Sequence, residues 1–187
     1  MSRLHLRTVT LAVLAAGALG LAGCSSSPSS SSATTTTFPD TTTAPPANPG
    51  PFPPVQNPSP AGTFGTEPTV TPPTGTPPTQ LESTDLITGT GPAVQSTDTV
   101  TVQYVGVAWS TGKTFDASWT DGSGQPVQFP LSGVIKGWTE GMVGMKVGGR
   151  RELVIPPSLA YGANPPQGSG IAVNDTLIFI IDLVKIG

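Results

Sequence analysis

Few side chains in this 187-residue chain could act as a nucleophile, a base or a metal ligand. There is one His, His5, and one Cys, Cys24, both near the N-terminus. Cleavage before Cys24 would remove His5 as well. That excludes Ser–His–Asp and Cys–His nucleophilic catalysis and histidine-ligated zinc, and a lone Cys excludes an internal disulfide. Two motif fragments also fall short, and a third motif is missing. Gly112-Lys113-Thr114 imitates the end of a phosphate loop, yet Val107 stands where a Gly is needed, and strand-like residues follow instead of a helix. Asp116, Asp121 and Gly122 hint at a calcium loop that lacks its closing Glu, and no Gly-x-Ser-x-Gly elbow occurs. What remains is a set of aromatic and apolar residues at strand ends and in loops: Tyr104, Phe115, Phe129, Val134, Ile135, Trp138, Tyr161, Ile171 and Phe179. Asp116 is the one acid among them. Ordinary core packing is the competing reading, strongest for Phe129 and Phe179. It is weakest for Tyr161 and Asp116, whose polar groups need partners.

Strands and one short helix must position this set. Ile135, Trp138 and Met142 fall at i, i+3 and i+7, which predicts a helix over 134–142 with one apolar side. Gly137 and Gly141 weaken it by roughly 1 kcal/mol each relative to Ala, so packing against a sheet must hold it. Leu81–Thr90 reads as a weak first strand. In Thr99–Ala108, Val100, Val102 and Tyr104 alternate with Thr99, Thr101 and Gln103, giving one buried and one exposed face. Lys113–Ser118, the alternating Val127, Phe129 and Leu131, then Arg150–Ile155 and Thr176–Ile186 complete the series. Pro156-Pro157 stops the fifth strand, and a Gly/Pro-rich loop follows from Tyr161 to Gly170. The expectation is an α+β fold, a five- to six-stranded antiparallel sheet wrapped around one short helix.

Composition divides the chain. Only 10% of residues are charged, and the 22 Pro are concentrated between Pro28 and Pro78. Arg3 and Arg7 precede an apolar run from Val9 to Leu21, the parts of a secretory signal, and the run is short for a bilayer span. Leu21-Ala22-Gly23-Cys24 resembles the bacterial lipobox. It implies a signal peptide over 1–23 and lipidation of Cys24, with more than one acyl chain because a single chain anchors only marginally. The implied location is the extracytoplasmic face of a bacterial cell membrane. Residues 24–80 then read as the lipidated Cys and a disordered Ser/Thr/Pro-rich tether, with Asp40 and Glu67 its only charges. Too few large apolar side chains are present to offset ordering entropy. Residues 81–187 read as one folded domain. Its acids outnumber its bases and the net charge is −3, which argues against a nucleic-acid partner.

Tyr104-Val105-Gly106, Phe115-Asp116-Ala117-Ser118, Val134-Ile135-Lys136-Gly137-Trp138, Val147-Gly148-Gly149-Arg150-Arg151, Ala160-Tyr161-Gly162-Ala163 and Thr176-Leu177-Ile178-Phe179 occur in that order. Through these motifs the chain resembles the FKBP-type peptidyl-prolyl cis-trans isomerases over about residues 83–187. The resemblance implies an apolar pocket between helix and sheet, with Trp138 as floor. It makes Tyr104, Phe115, Phe129, Val134, Ile135 and Phe179 walls, with Val127 and Ile171 also in the pocket. Tyr161 and the Ile135 N–H would donate to a substrate carbonyl, and Asp116 would sit at the rim. Partners implied are X–Pro segments of exported proteins and macrolides of the FK506 and rapamycin type, with no cofactor and no metal. A non-catalytic binding or chaperone module on the same fold is the alternative. The chain also departs from the family pattern. Val127 replaces an aromatic wall, no basic residue lies between Lys113 and Lys136 to orient Asp116, and Ala172-Val173 replace a common Pro-Pro. The reaction suits these residues. Rotation about an X–Pro bond meets a barrier of ~18–20 kcal/mol from amide resonance. No covalent bond is made, and a 10⁴-fold acceleration needs only about 5.5 kcal/mol. Moving the imide into an apolar pocket disfavours its charge-separated planar form, and hydrogen bonds to the twisted form add to this.

Overall fold

Leu177-Ile178-Phe179-Ile180-Ile181 is an unbroken apolar run, and a strand made from it must bury both faces. In the computed structural model, which describes residues 52–71, 74–120 and 124–187, this run opens the last strand, β6 (Leu177–Ile186), and Leu177–Leu183 are all buried. The other strands are β1 (Glu82–Ile87), β2 (Thr99–Ala108), β3 (Thr114–Ala117), β4 (Val127–Pro130) and β5 (Arg150–Ile155). They form one antiparallel sheet in the order β1-β5-β6-β2-β3, with β4 also paired to β2. β3 and β4 share one edge of β2 end to end: Val105–Val107 pair with β3 and Thr99–Val102 with β4. Register shifts at Thr101/Val102 and Gly106/Val107 bend β2, and the bent sheet wraps one helix, α1 (Lys136–Gly141). This is the expected architecture.

The helix is shorter than the apolar spacing predicts. Val134 and Ile135 are extended, and the Ile135 carbonyl accepts from the N–H of Trp138 at 2.9 Å and of Thr139 at 3.3 Å. Its two glycines have a reason. A Cβ on Gly141 would lie 2.8 Å from Leu153 Cδ2, and one on Gly137 would overlap Ile155. The helix therefore lies close against β5, and packing replaces the missing helix propensity. Arg151 ties down its exit, donating from Nη1 to the carbonyls of Gly141 at 2.8 Å and Val143 at 3.1 Å while pairing with Asp85 of β1. Trp138, Met142 and Met145 meet Val100, Leu153 and Ile181 in the inner core.

The stretch expected as a tether divides. Its part from 24 to 51, with the signal peptide and Cys24, lies outside the described residues. The described part does not behave as coil: it lies along the sheet, with Val55 and Ser59 buried. The entry runs beside the edge strand, where the Ser83 N–H donates to the Pro53 carbonyl at 2.9 Å. Composition misleads here because the segment is held mainly through its backbone. No helix among the described residues is long and apolar enough to cross a membrane.

Candidate active site

Trp138 sits in the short helix with its ring turned toward the sheet, only 4% exposed. Three rings meet it edge to face: Tyr104 at 5.3 Å, Phe179 at 5.3 Å and Phe129 at 5.7 Å between centroids. Phe115 meets Phe179 in the same way at 5.5 Å. Such pairs are worth about 0.5–1.5 kcal/mol each beyond the area they bury, so the rings hold one another in place. They do not fill the space. A cavity of about 440 Å³ opens above Trp138, walled by Phe115, Phe129, Val134, Ile135 and Phe179. That is large enough for a small ligand. β2, β3, β4 and β6 supply the rings, and the extended Val134-Ile135 entry to α1 supplies the aliphatic wall.

The polar groups gather at the mouth. Tyr104 Oη donates to Asp116 Oδ2 at 2.6 Å. The absence of a nearby cation in the sequence is thus answered by a phenol, which fixes the carboxylate. Tyr161 lies across the mouth, 36% exposed, and its hydroxyl has no protein partner among the described residues. Partial burial, and then the negative charge of Asp116, push the Tyr161 phenol above its ordinary value of 10.0. Tyr161 therefore stays a protonated donor through neutral and mildly alkaline pH. Asn174, at a φ of 56°, gives its N–H to the Gly162 carbonyl at 2.8 Å, which steadies the loop beside Tyr161. Among the described residues no cluster of His, Cys, Asp and Glu could hold a metal ion. The arrangement can take up an apolar guest, desolvate it and give it one hydrogen bond from Tyr161.

Two residues expected in the pocket do not line it. Val127 begins β4 opposite Val102, half-buried; it shares a strand face with Phe129, but a valine reaches far less than a phenyl ring. Ile171 packs against the inner core from the loop before β6. Conversely, Gly133 lines the cavity, and no reading of side-chain types could find a residue that contributes only backbone.

The family model for FKBP-type peptidyl-prolyl cis-trans isomerases matches residues 91–184. The chain is 55% identical over 104 residues to an "FK506-binding protein" of Streptomyces anulatus, a match covering 54% of this chain and 82% of that one. To a "Probable FK506-binding protein" of Corynebacterium glutamicum it is 53% identical over 102 residues, covering 54% and 82%. Among solved structures, a peptidyl-prolyl cis-trans isomerase from Pseudomonas syringae superposes with a TM-score of 0.51 at 37% identity, over 57% of this chain and 75% of that one.

Proposed function

The chain belongs to the FKBP-type peptidyl-prolyl cis-trans isomerase family, and from that premise we propose that it turns X–Pro bonds in exported polypeptides while held at the outer face of a bacterial cell membrane. The observation that carries this reading is the open aromatic cavity over Trp138. A proline ring laid on the indole would place its imide bond at the mouth, among apolar walls. There the planar, charge-separated amide loses solvation that the twisted form needs less. Tyr161 Oη and the Ile135 N–H are the proposed donors to the carbonyl preceding proline. Asp116, fixed by Tyr104, keeps the Tyr161 proton in place. Each contact has to favour the twisted state over the planar one by only a fraction of the barrier.

A proline-switched tetrapeptide assay on the full chain tests the reading. Catalysis that is lost in Trp138→Ala and weakened in Tyr161→Phe supports it. Binding of the peptide without acceleration would leave only a binding module. Macrolides of the FK506 and rapamycin type are proposed to occupy the same cavity, as the name of the Streptomyces relative suggests. Titration should then show saturable binding that abolishes turnover; turnover unaffected by saturating macrolide would remove this ligand class. The anchored location rests on Leu21-Ala22-Gly23-Cys24, with lipidation at Cys24 and the Ser/Thr/Pro-rich stretch that follows it as spacer.

A further inference from the structure

β5 and β6 are buried on both faces, but α1 covers only the inner one. On the outer face Val105, Val107, Val154 and Ile178 make an apolar patch, bordered by Glu152 and by the Arg150–Asp182 pair. Both members of that pair are 0% exposed, and a buried ion pair is tolerable only when its remaining donors and acceptors are also satisfied. Residues 52–71 supply the partners. Arg150 donates from Nη1 to the Ala61 carbonyl at 2.9 Å and from Nη2 to the Thr66 carbonyl at 2.7 Å. The Gly65 N–H donates to Asp182 at 2.6 Å, and the Ser59 N–H to Glu152 at 2.7 Å. All of these strap groups belong to the main chain; the Ser59 hydroxyl, 3.0 Å from Glu152 Oε1, adds one side chain. Val55 joins the apolar patch and Val70 packs beside it. The segment closes on itself where the Thr71 N–H meets Ser59 Oγ at 3.1 Å. It lies outside the family model, which begins at residue 91.

We propose that the outer face of this sheet is a docking surface for an extended chain, that it recognises main-chain groups, and that its occupant is this chain's own segment 52–71. Hydrogen bonds from peptide groups to charged side chains are about twice as strong as neutral ones, and they do not depend on which side chain the peptide carries. This explains how a Ser/Thr/Pro-rich segment with few large apolar residues is held. The folded unit then includes residues 52–71. Docking and isomerisation have separate readouts, because the cavity lies on the other side of the sheet.

In the full chain, Gly65→Pro removes the N–H given to Asp182 and cannot adopt the φ of 79° found there. It should lower Tm by at least about 5 °C and raise proteolysis within 52–71 at least about tenfold. On a proline tetrapeptide, kcat/KM should stay within about twofold of wild type. Thr66→Ala keeps its carbonyl and should change none of these. Equal effects from the two substitutions would overturn main-chain recognition. Unchanged Tm and proteolysis in Gly65→Pro would overturn docking itself. A second full chain, carrying a protease site in place of residues 72–73, leaves the docked segment intact and is cut after purification. The pieces should co-elute at micromolar concentration and separate when excess synthetic 52–71 peptide is added. Separation on cutting alone would also overturn the proposal.

Discussion

Among the described residues, Tyr161 is the pocket hydroxyl with no protein partner, since Tyr104 donates its own to Asp116. The proposed role as donor sets a magnitude. One hydrogen bond is worth about 0.5–1.5 kcal/mol net, so Tyr161→Phe should lower kcat/KM roughly two- to tenfold while leaving Tm unchanged. Burial and the charge of Asp116 both raise the Tyr161 phenol, and the proton is needed for donation. The pH profile of kcat/KM should therefore be flat from neutral pH up to the ordinary phenol value of 10.0, falling only above it. A fall beginning near pH 8 would contradict this. Trp138→Ala removes the floor and three ring contacts, and should cost about 3–5 kcal/mol of stability along with turnover. Most of the site was legible because large rings at strand ends, next to a lone acid, are few. Val127 does not line the cavity, because position in a motif says nothing of how far a side chain reaches. Gly133 has no side chain to notice.

The strands were legible because period-two alternation survives in β2, and the helix because Trp138 and Met142 stand four residues apart on its buried side, although Ile135 before it is extended. Its glycines looked like weaknesses and are contacts. Gly137→Ala gains about 1 kcal/mol of helix propensity, but its methyl would overlap Ile155, and overpacking typically costs 1–3 kcal/mol. The substitution should be net destabilising, seen as a lower Tm; a rise would mean that α1 lifts from β5 freely. The segment 52–71 left no local pattern because its contacts run through N–H and C=O groups, which every residue carries. The signal lay in its cover. β5 is buried throughout, including Arg150, Arg151 and Glu152, and β6 begins with five apolar residues in a row. One helix cannot bury both faces. Glu152 reports on that cover. Burial raises its carboxyl above 4.5, and the two Ser59 hydrogen bonds pull the other way without reversing it. A raised carboxyl pKa contributes stability that is fully present below the unfolded value and is lost as pH rises through the folded one. Urea midpoints of the wild type should thus decline relative to Glu152→Gln between pH 4 and neutrality.

Across the whole chain, isomerisation and placement fall to different residues. The pocket residues lie between Tyr104 and Phe179, whereas the proposed anchor is Cys24, with no second Cys anywhere in the sequence. Substituting Cys24 should therefore change where the protein is without changing what it does. One acyl chain holds a protein at a membrane only reversibly, and stable retention takes more; with the proposed lipidation site gone, the described part of the chain offers no spanning helix in compensation. Cys24→Ala should appear in the medium after fractionation, with the tetrapeptide kcat/KM of the wild type and the same resistance of segment 52–71 to protease. Retention of Cys24→Ala in the membrane fraction would show that the apolar run from Val9 to Leu21 stays in place as an anchor, short as it is for a bilayer. Release accompanied by loss of turnover would instead mean that the N-terminal part contributes to the pocket. Among the described residues the cavity is lined from β2, β3, β4, β6, α1 and loop residues including Tyr161, so release with full turnover is the expected result.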